Sequence, residues 1–141
     1  MSSYKKIMST ELHPRQIDWA LLLLRGGMGL MMMLQGFPKF KGALAGDSAW
    51  FPSVFGLGAP LTLVLAAFAE FILPFLLVLG WYTRFALFLM LVETSIAAFM
   101  IYGGEPLTQR ENTIFYLIAY AALILTGPGK YSLDGFNKWN R

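Results

Sequence analysis

Three ionisable side chains, Arg25, Glu70 and Glu93, interrupt stretches of the chain that are otherwise apolar. Counted along helices, Arg25 lies eight residues past Ile17 and Glu93 eight past Phe85, each about 12 Å from one membrane face. Glu70 lies ten residues past Pro60, about 15 Å from the other face and so near the midplane of a hydrocarbon core about 30 Å thick. Tyr120 falls within about one turn of that depth. A charge there costs roughly 2.5–3.5 kcal/mol even on a lenient insertion scale. The three side chains are therefore expected to turn inward and meet, with Arg25 within hydrogen-bond or one-water reach of Glu70 or Glu93. Tyr116 and Tyr120 share a face of the last apolar stretch with Asn112. One arginine against two glutamates leaves an excess carboxyl, and a proton-titrating group in a membrane is a candidate for function. An Arg or Tyr donor beside a protonated Glu could meet a quinone carbonyl and supply a proton. The same set is equally readable as a buried ion pair that fixes helix register.

Neighbouring residues add detail. Pro74 has no N–H, so it cannot bond the carbonyl of Glu70 four residues before it. Arg25, Gly29, Met32 and Gly36 share one face, and the small residues there allow close helix approach. Lys39 is a candidate for lipid headgroups or an anionic ligand, or simply an interfacial cation. Glu111 closes Thr108-Gln109-Arg110-Glu111, which reads as a capping box. Met28, Met31, Met32 and Met33 are soft enough for copper(I), but consecutive methionines diverge on a helix, so packing or lipid contact is the better reading. No metal site is expected. The chain has no cysteine, which excludes disulfides and thiolate or iron–sulfur ligation. His13 is the single histidine and lies in a polar segment, so a bis-histidine haem within the bundle is excluded for this chain alone. No Ser/His/Asp, phosphate-loop or dinucleotide pattern is present, so no self-contained catalytic motif is found.

These residues must be positioned by helices that live in lipid. The chain is 57% hydrophobic and 13% charged with mean hydropathy +0.58, against about half and about a quarter in soluble domains. Its 141 residues make one domain. Residues 1–16 form a polar N-terminal segment, 17–129 a transmembrane domain, and 130–141 a polar tail with Trp139 as an interfacial anchor. The apolar runs predict spans at about 17–37, 60–79, 85–102 and 109–126. Gly36-Phe37-Pro38-Lys39 is expected to end the first span, which is expected to be retained as a helix. Trp50, Phe51 and Phe55 belong at headgroup level. The short turn at Gly80–Arg84 makes the second and third spans an antiparallel hairpin. Gly127, Pro128 and Gly129 stop the last. The fold class is all-α, an integral membrane four-helix bundle running up-down-up-down.

The loop charges orient it. Lys5, Lys6, Arg15, Arg84, Lys130, Lys138 and Arg141 fall on one side; Lys39, Lys41 and Arg110 on the other. Basic residues favour the cytoplasm, so both termini are expected inside. The net charge of +3 follows these loops and does not suggest nucleic acid.

The chain resembles the DoxX family of small bacterial and archaeal membrane proteins, from about Leu21 to Asp134. The resemblance rests on Leu24-Arg25 with Gly29 and Gly36-Phe37-Pro38-Lys39; on Glu70 followed by Gly80-Trp81-Tyr82-Thr83-Arg84; on Glu111; and on Gly127-Pro128-Gly129-Lys130-Tyr131-Ser132-Leu133-Asp134. Pro74, where the pattern often has glycine, and Glu93 depart from it. The resemblance implies a four-helix bundle in the cytoplasmic membrane linked to membrane redox systems, including thiosulfate:quinone oxidoreductase subunits and oxidative-stress complexes. Similar four-helix quinone-linked thiol oxidases need cysteines, and that chemistry is excluded here. The leading expectation is a quinone-interacting or accessory subunit of a membrane redox complex, with electrons supplied by a partner or a diffusible cofactor. A lipid or small-molecule binding or transport protein using the same polar core is the second, and a structural scaffold whose charges only specify packing the third; the partners considered are membrane lipids, redox-complex subunits and further copies of the chain in a homo-oligomer.

Overall fold

The computed structural model describes residues 9–139, with 137–139 as backbone alone. Lys5, Lys6, Arg141 and the side chains of Lys138 and Trp139, all used in the topology reading, lie outside the described set. Helix α1 runs Pro14–Ala45, α2 Ala59–Leu79, α3 Thr83–Ile101, α4 Glu111–Thr126, and a short α5 Leu133–Trp139. No strand occurs among the described residues. The first three helices are long and apolar enough to cross a membrane. Helix α4 is apolar over 16 residues, about 24 Å of rise.

Leu73, Leu77, Ala86, Leu87, Met90, Tyr120 and Leu123 form the buried core. Leu23, Phe85, Phe99, Phe115, Ile118 and Leu125 are exposed around it. An outer face this apolar matches a lipid surround rather than water. Met32 is buried while Met31 is exposed, so the methionines do diverge.

Two expected boundaries are corrected. Helix α1 does not stop at Gly36-Phe37-Pro38-Lys39; Pro38 lies inside it, and the helix ends at Gly46 in left-handed conformation (φ 71°). An internal proline costs about 3 kcal/mol through one lost bond and a ring clash. Packing beyond the proline offsets this: Phe40 stacks on Phe71 at 4.5 Å, and Lys39 engages Glu70. The Thr108–Glu111 capping box is also not formed. Residues 106–110 make turns (Gln109 N–H to the Pro106 carbonyl, 3.0 Å; Arg110 N–H to Leu107, 3.2 Å). Glu111 is instead the first helical residue, where its charge still suits the positive end of the helix.

Helix α2 carries a π-bulge at Phe68–Ile72, where the Leu73 N–H reaches back to the Phe68 carbonyl. Pro74 explains its place. A tight α-turn would press the proline ring onto the Glu70 carbonyl, and a widened turn relieves that contact. Helix α1 meets the bulge through Gly36. A Cβ there would lie 2.8 Å from the Glu70 Cβ, so only a glycine allows this approach. Gly29 repeats the device one heptad earlier: a Cβ there would lie 2.6 Å from a Val78 methyl.

Candidate functional site

Glu70 sits on the π-bulge and is buried. Lys39 Nζ lies 2.5 Å from both of its carboxylate oxygens. The lysine side chain keeps 23% exposure and the glutamate 9%. The ammonium also stands 5.6 Å from the Phe51 ring centroid, so a loop aromatic covers the pair. From α3, Glu93 brings a second carboxyl within electrostatic range of Glu70 and Lys39. One lysine thus faces two acidic side chains in a low-dielectric site, where an uncompensated charge is costly. Thr94 Oγ1 donates to Glu93 at 3.5 Å.

Helix α4 supplies Tyr116 and Tyr120, rings 5.8 Å apart and within electrostatic range of Glu70. Tyr120 is fully buried, and its hydroxyl has no hydrogen-bond partner among the described residues. Five of the six sequence-selected ligand residues thus gather between the four helices: Lys39, Glu70, Glu93, Tyr116 and Tyr120. The lysine's pairing with Glu70 was not expected from sequence. The signal was present: the Arg25, Gly29, Met32, Gly36 stripe continues to residue 39 once the helix is allowed through Pro38.

Arg25 is the exception, and the expected pairing with Glu70 or Glu93 is corrected. It is wholly buried, yet its guanidinium donates to the carbonyls of Leu77 (2.9 Å), Val78 (2.7 Å) and Tyr131 (2.6 Å). The antiparallel α2 brings its C-terminus beside the first third of α1. The unpaired carbonyls there form the negative end of the helix and compete successfully for the cation. Arg110 does the same at the end of α3, donating to the Ala98 carbonyl at 3.3 Å; sequence reading counted it only as a loop charge.

Residues from the tail complete the Arg25 end. Asp134 accepts from the N–H groups of Tyr82 (3.0 Å) and Thr83 (2.8 Å), capping α3 from fifty residues away in sequence. Its own N–H donates to the Gly80 carbonyl at 2.9 Å. The clasp ties the tail to the turn between α2 and α3.

The DoxX family model matches residues 20–103. The chain belongs to the DoxX family. The match contains Arg25, Lys39, Glu70 and Glu93, and ends before Tyr116, Tyr120 and the Asp134 clasp. An uncharacterized protein of Haemophilus influenzae (strain ATCC 51907 / DSM 11121 / KW20 / Rd) is 30% identical over 122 residues, 82% of this chain and 81% of that protein. No solved structure gives a significant match. With its apolar helices, this DoxX chain is a multi-pass membrane protein.

Proposed function

We propose that the Lys39–Glu70–Glu93 site, with Tyr116 and Tyr120, binds the head of a membrane quinone, and that the protein is a non-catalytic, quinone-interacting subunit of a membrane redox complex. One observation carries the reading: a fully buried phenol, its hydroxyl without a partner among the described residues, stands beside two acidic side chains and a lysine. A quinone head offers carbonyl acceptors for such donors, and its reduction consumes protons. The chain supplies no electron carrier, so a partner or diffusible cofactor must. Arg25 has no place in this site, because the carbonyls it caps already occupy it.

The experiment is quinone binding to protein purified in mild detergent, wild type against Tyr120→Phe and Glu93→Gln, over a pH series. If Tyr120 only packs, its unpaired hydroxyl is dispensable and phenylalanine leaves binding untouched. The site reading expects both variants to stay folded and bind about tenfold more weakly, one hydrogen bond in a dry site. If an acid of the pair gives the ligand a hydrogen bond, wild-type binding should weaken as pH rises, and this dependence should flatten in Glu93→Gln. Equal binding by all three proteins removes the quinone reading. A stoichiometric copurified lipid held by the same residues favours a lipid or small-molecule binding role, supported by the partly exposed Lys39 beside Phe51. Neither ligand would leave a scaffold or homo-oligomer subunit.

The charge pattern supports a cytoplasmic-membrane protein with both termini inside. Asp47 then lies outside, and an Asp47→Cys variant should react with an impermeant thiol reagent in intact cells. The native chain has no background thiol. Reaction only after the membrane is opened would reverse the orientation.

A further inference from the structure

At the Arg84 end of the bundle, a groove of about 570 Å³ runs between the α2–α3 turn and the segment after α4, lined by Thr83, Arg84, Phe85, Gly127, Lys130 and Asp134 among others. Two polar side chains in it have donors without work. Thr83 is fully buried, and its hydroxyl has no hydrogen-bond partner among the described residues. A hydroxyl left so costs about 1–3 kcal/mol. Arg84 is exposed, and its guanidinium has neither an acceptor nor a counter-ion among the described residues. Its position is nonetheless built. The guanidinium lies across Gly127, where a Cβ would stand 3.2 Å from Nη2, and Gly127 holds a positive φ of 80°.

The surroundings select the ligand. Asp134 lines the groove, but both its oxygens accept backbone N–H groups, and the buried Arg25 attracts it. The Arg84 guanidinium therefore sets the sign. Trp81 and Tyr82 are exposed beside the groove, as aromatic residues are at the headgroup level of a bilayer. Exposed Phe85 continues it onto the apolar flank of α3. A phosphate at the polar end and acyl chains along Phe85 would satisfy both parts at once.

We propose that this groove binds the phosphodiester of an anionic phospholipid, held by the Arg84 guanidinium and the Thr83 hydroxyl. The site is independent of the quinone reading. The test uses full-length protein in mild detergent, titrated with phosphatidylglycerol, phosphatidylcholine or inorganic phosphate, with binding read by native mass spectrometry and Tm by thermal melting. Saturable phosphatidylglycerol binding that raises Tm is expected, with phosphatidylcholine and phosphate far weaker. Thr83→Val keeps the buried volume and should leave the lipid-free Tm unchanged or higher, yet weaken phosphatidylglycerol binding about tenfold, the worth of one hydrogen bond to a charged group. Arg84→Gln should weaken it at least as much. Equal binding of the two lipids, an equal response to inorganic phosphate, or full affinity in Thr83→Val would each overturn the proposal. Should Arg84→Gln fail to fold, the valine variant decides alone.

Discussion

Lys39→Ala is expected to destabilise the protein by about 3–5 kcal/mol, toward the lower figure because the lysine is partly exposed. The loss comes from the partner left behind. Glu70 is held on a π-bulge against Gly36, and cannot swing to water without separating α1 from α2. Its remaining neighbour, Glu93, is another acid. Unfolding in mixed micelles measures the effect. Lys39→Met combined with Glu70→Gln should recover most of it, since no unpaired charge then remains. A Lys39→Ala protein as stable as wild type would mean that the ion pair does not hold these helices.

Arg25→Met should cost still more, because three carbonyls lose a charged donor together. Hydrogen bonds to charged groups contribute about 1.5–3 kcal/mol each, and Leu77, Val78 and Tyr131 all depend on this one guanidinium. We expect loss of several kcal/mol and a sharp fall in folded yield. Arg25→Lys should rescue only partly, as a single ammonium lacks the planar fork that spans two chain segments. Normal yield of Arg25→Met in detergent would show that its bonds to the Leu77, Val78 and Tyr131 carbonyls are dispensable.

The helices themselves were legible because lipid demands long apolar runs, and glycine marked the ends at Gly80 and Gly127. Pro38 misled because a proline removes one hydrogen bond, and whether a helix survives that loss depends on packing beyond it. Phe71 and Glu70, distant in sequence, supply that packing. Counting along the helices put Glu70, Glu93 and Tyr120 near the middles of theirs, and the structure brings the three within electrostatic range. Counting failed for Arg25 because side chains were treated as the only partners. Backbone carbonyls at a helix end carry no sequence signature, yet they bind a cation as well as a carboxylate does. The Asp134 cap on α3 was invisible as a contact for the same reason: its donors are backbone N–H groups fifty residues away.

On the proposed reading, Glu70 and Glu93 share a proton beside Lys39 and present it to a ligand with Tyr120. Infrared difference spectroscopy of the carboxyl C=O stretch, recorded on adding a soluble quinone to the purified protein, tests it most directly. The site predicts a protonated-carboxyl band that shifts on binding, moves in D2O, disappears in Glu93→Gln and is altered in Tyr120→Phe. A difference spectrum with no carboxyl band, or one that survives unchanged in both variants, would contradict it.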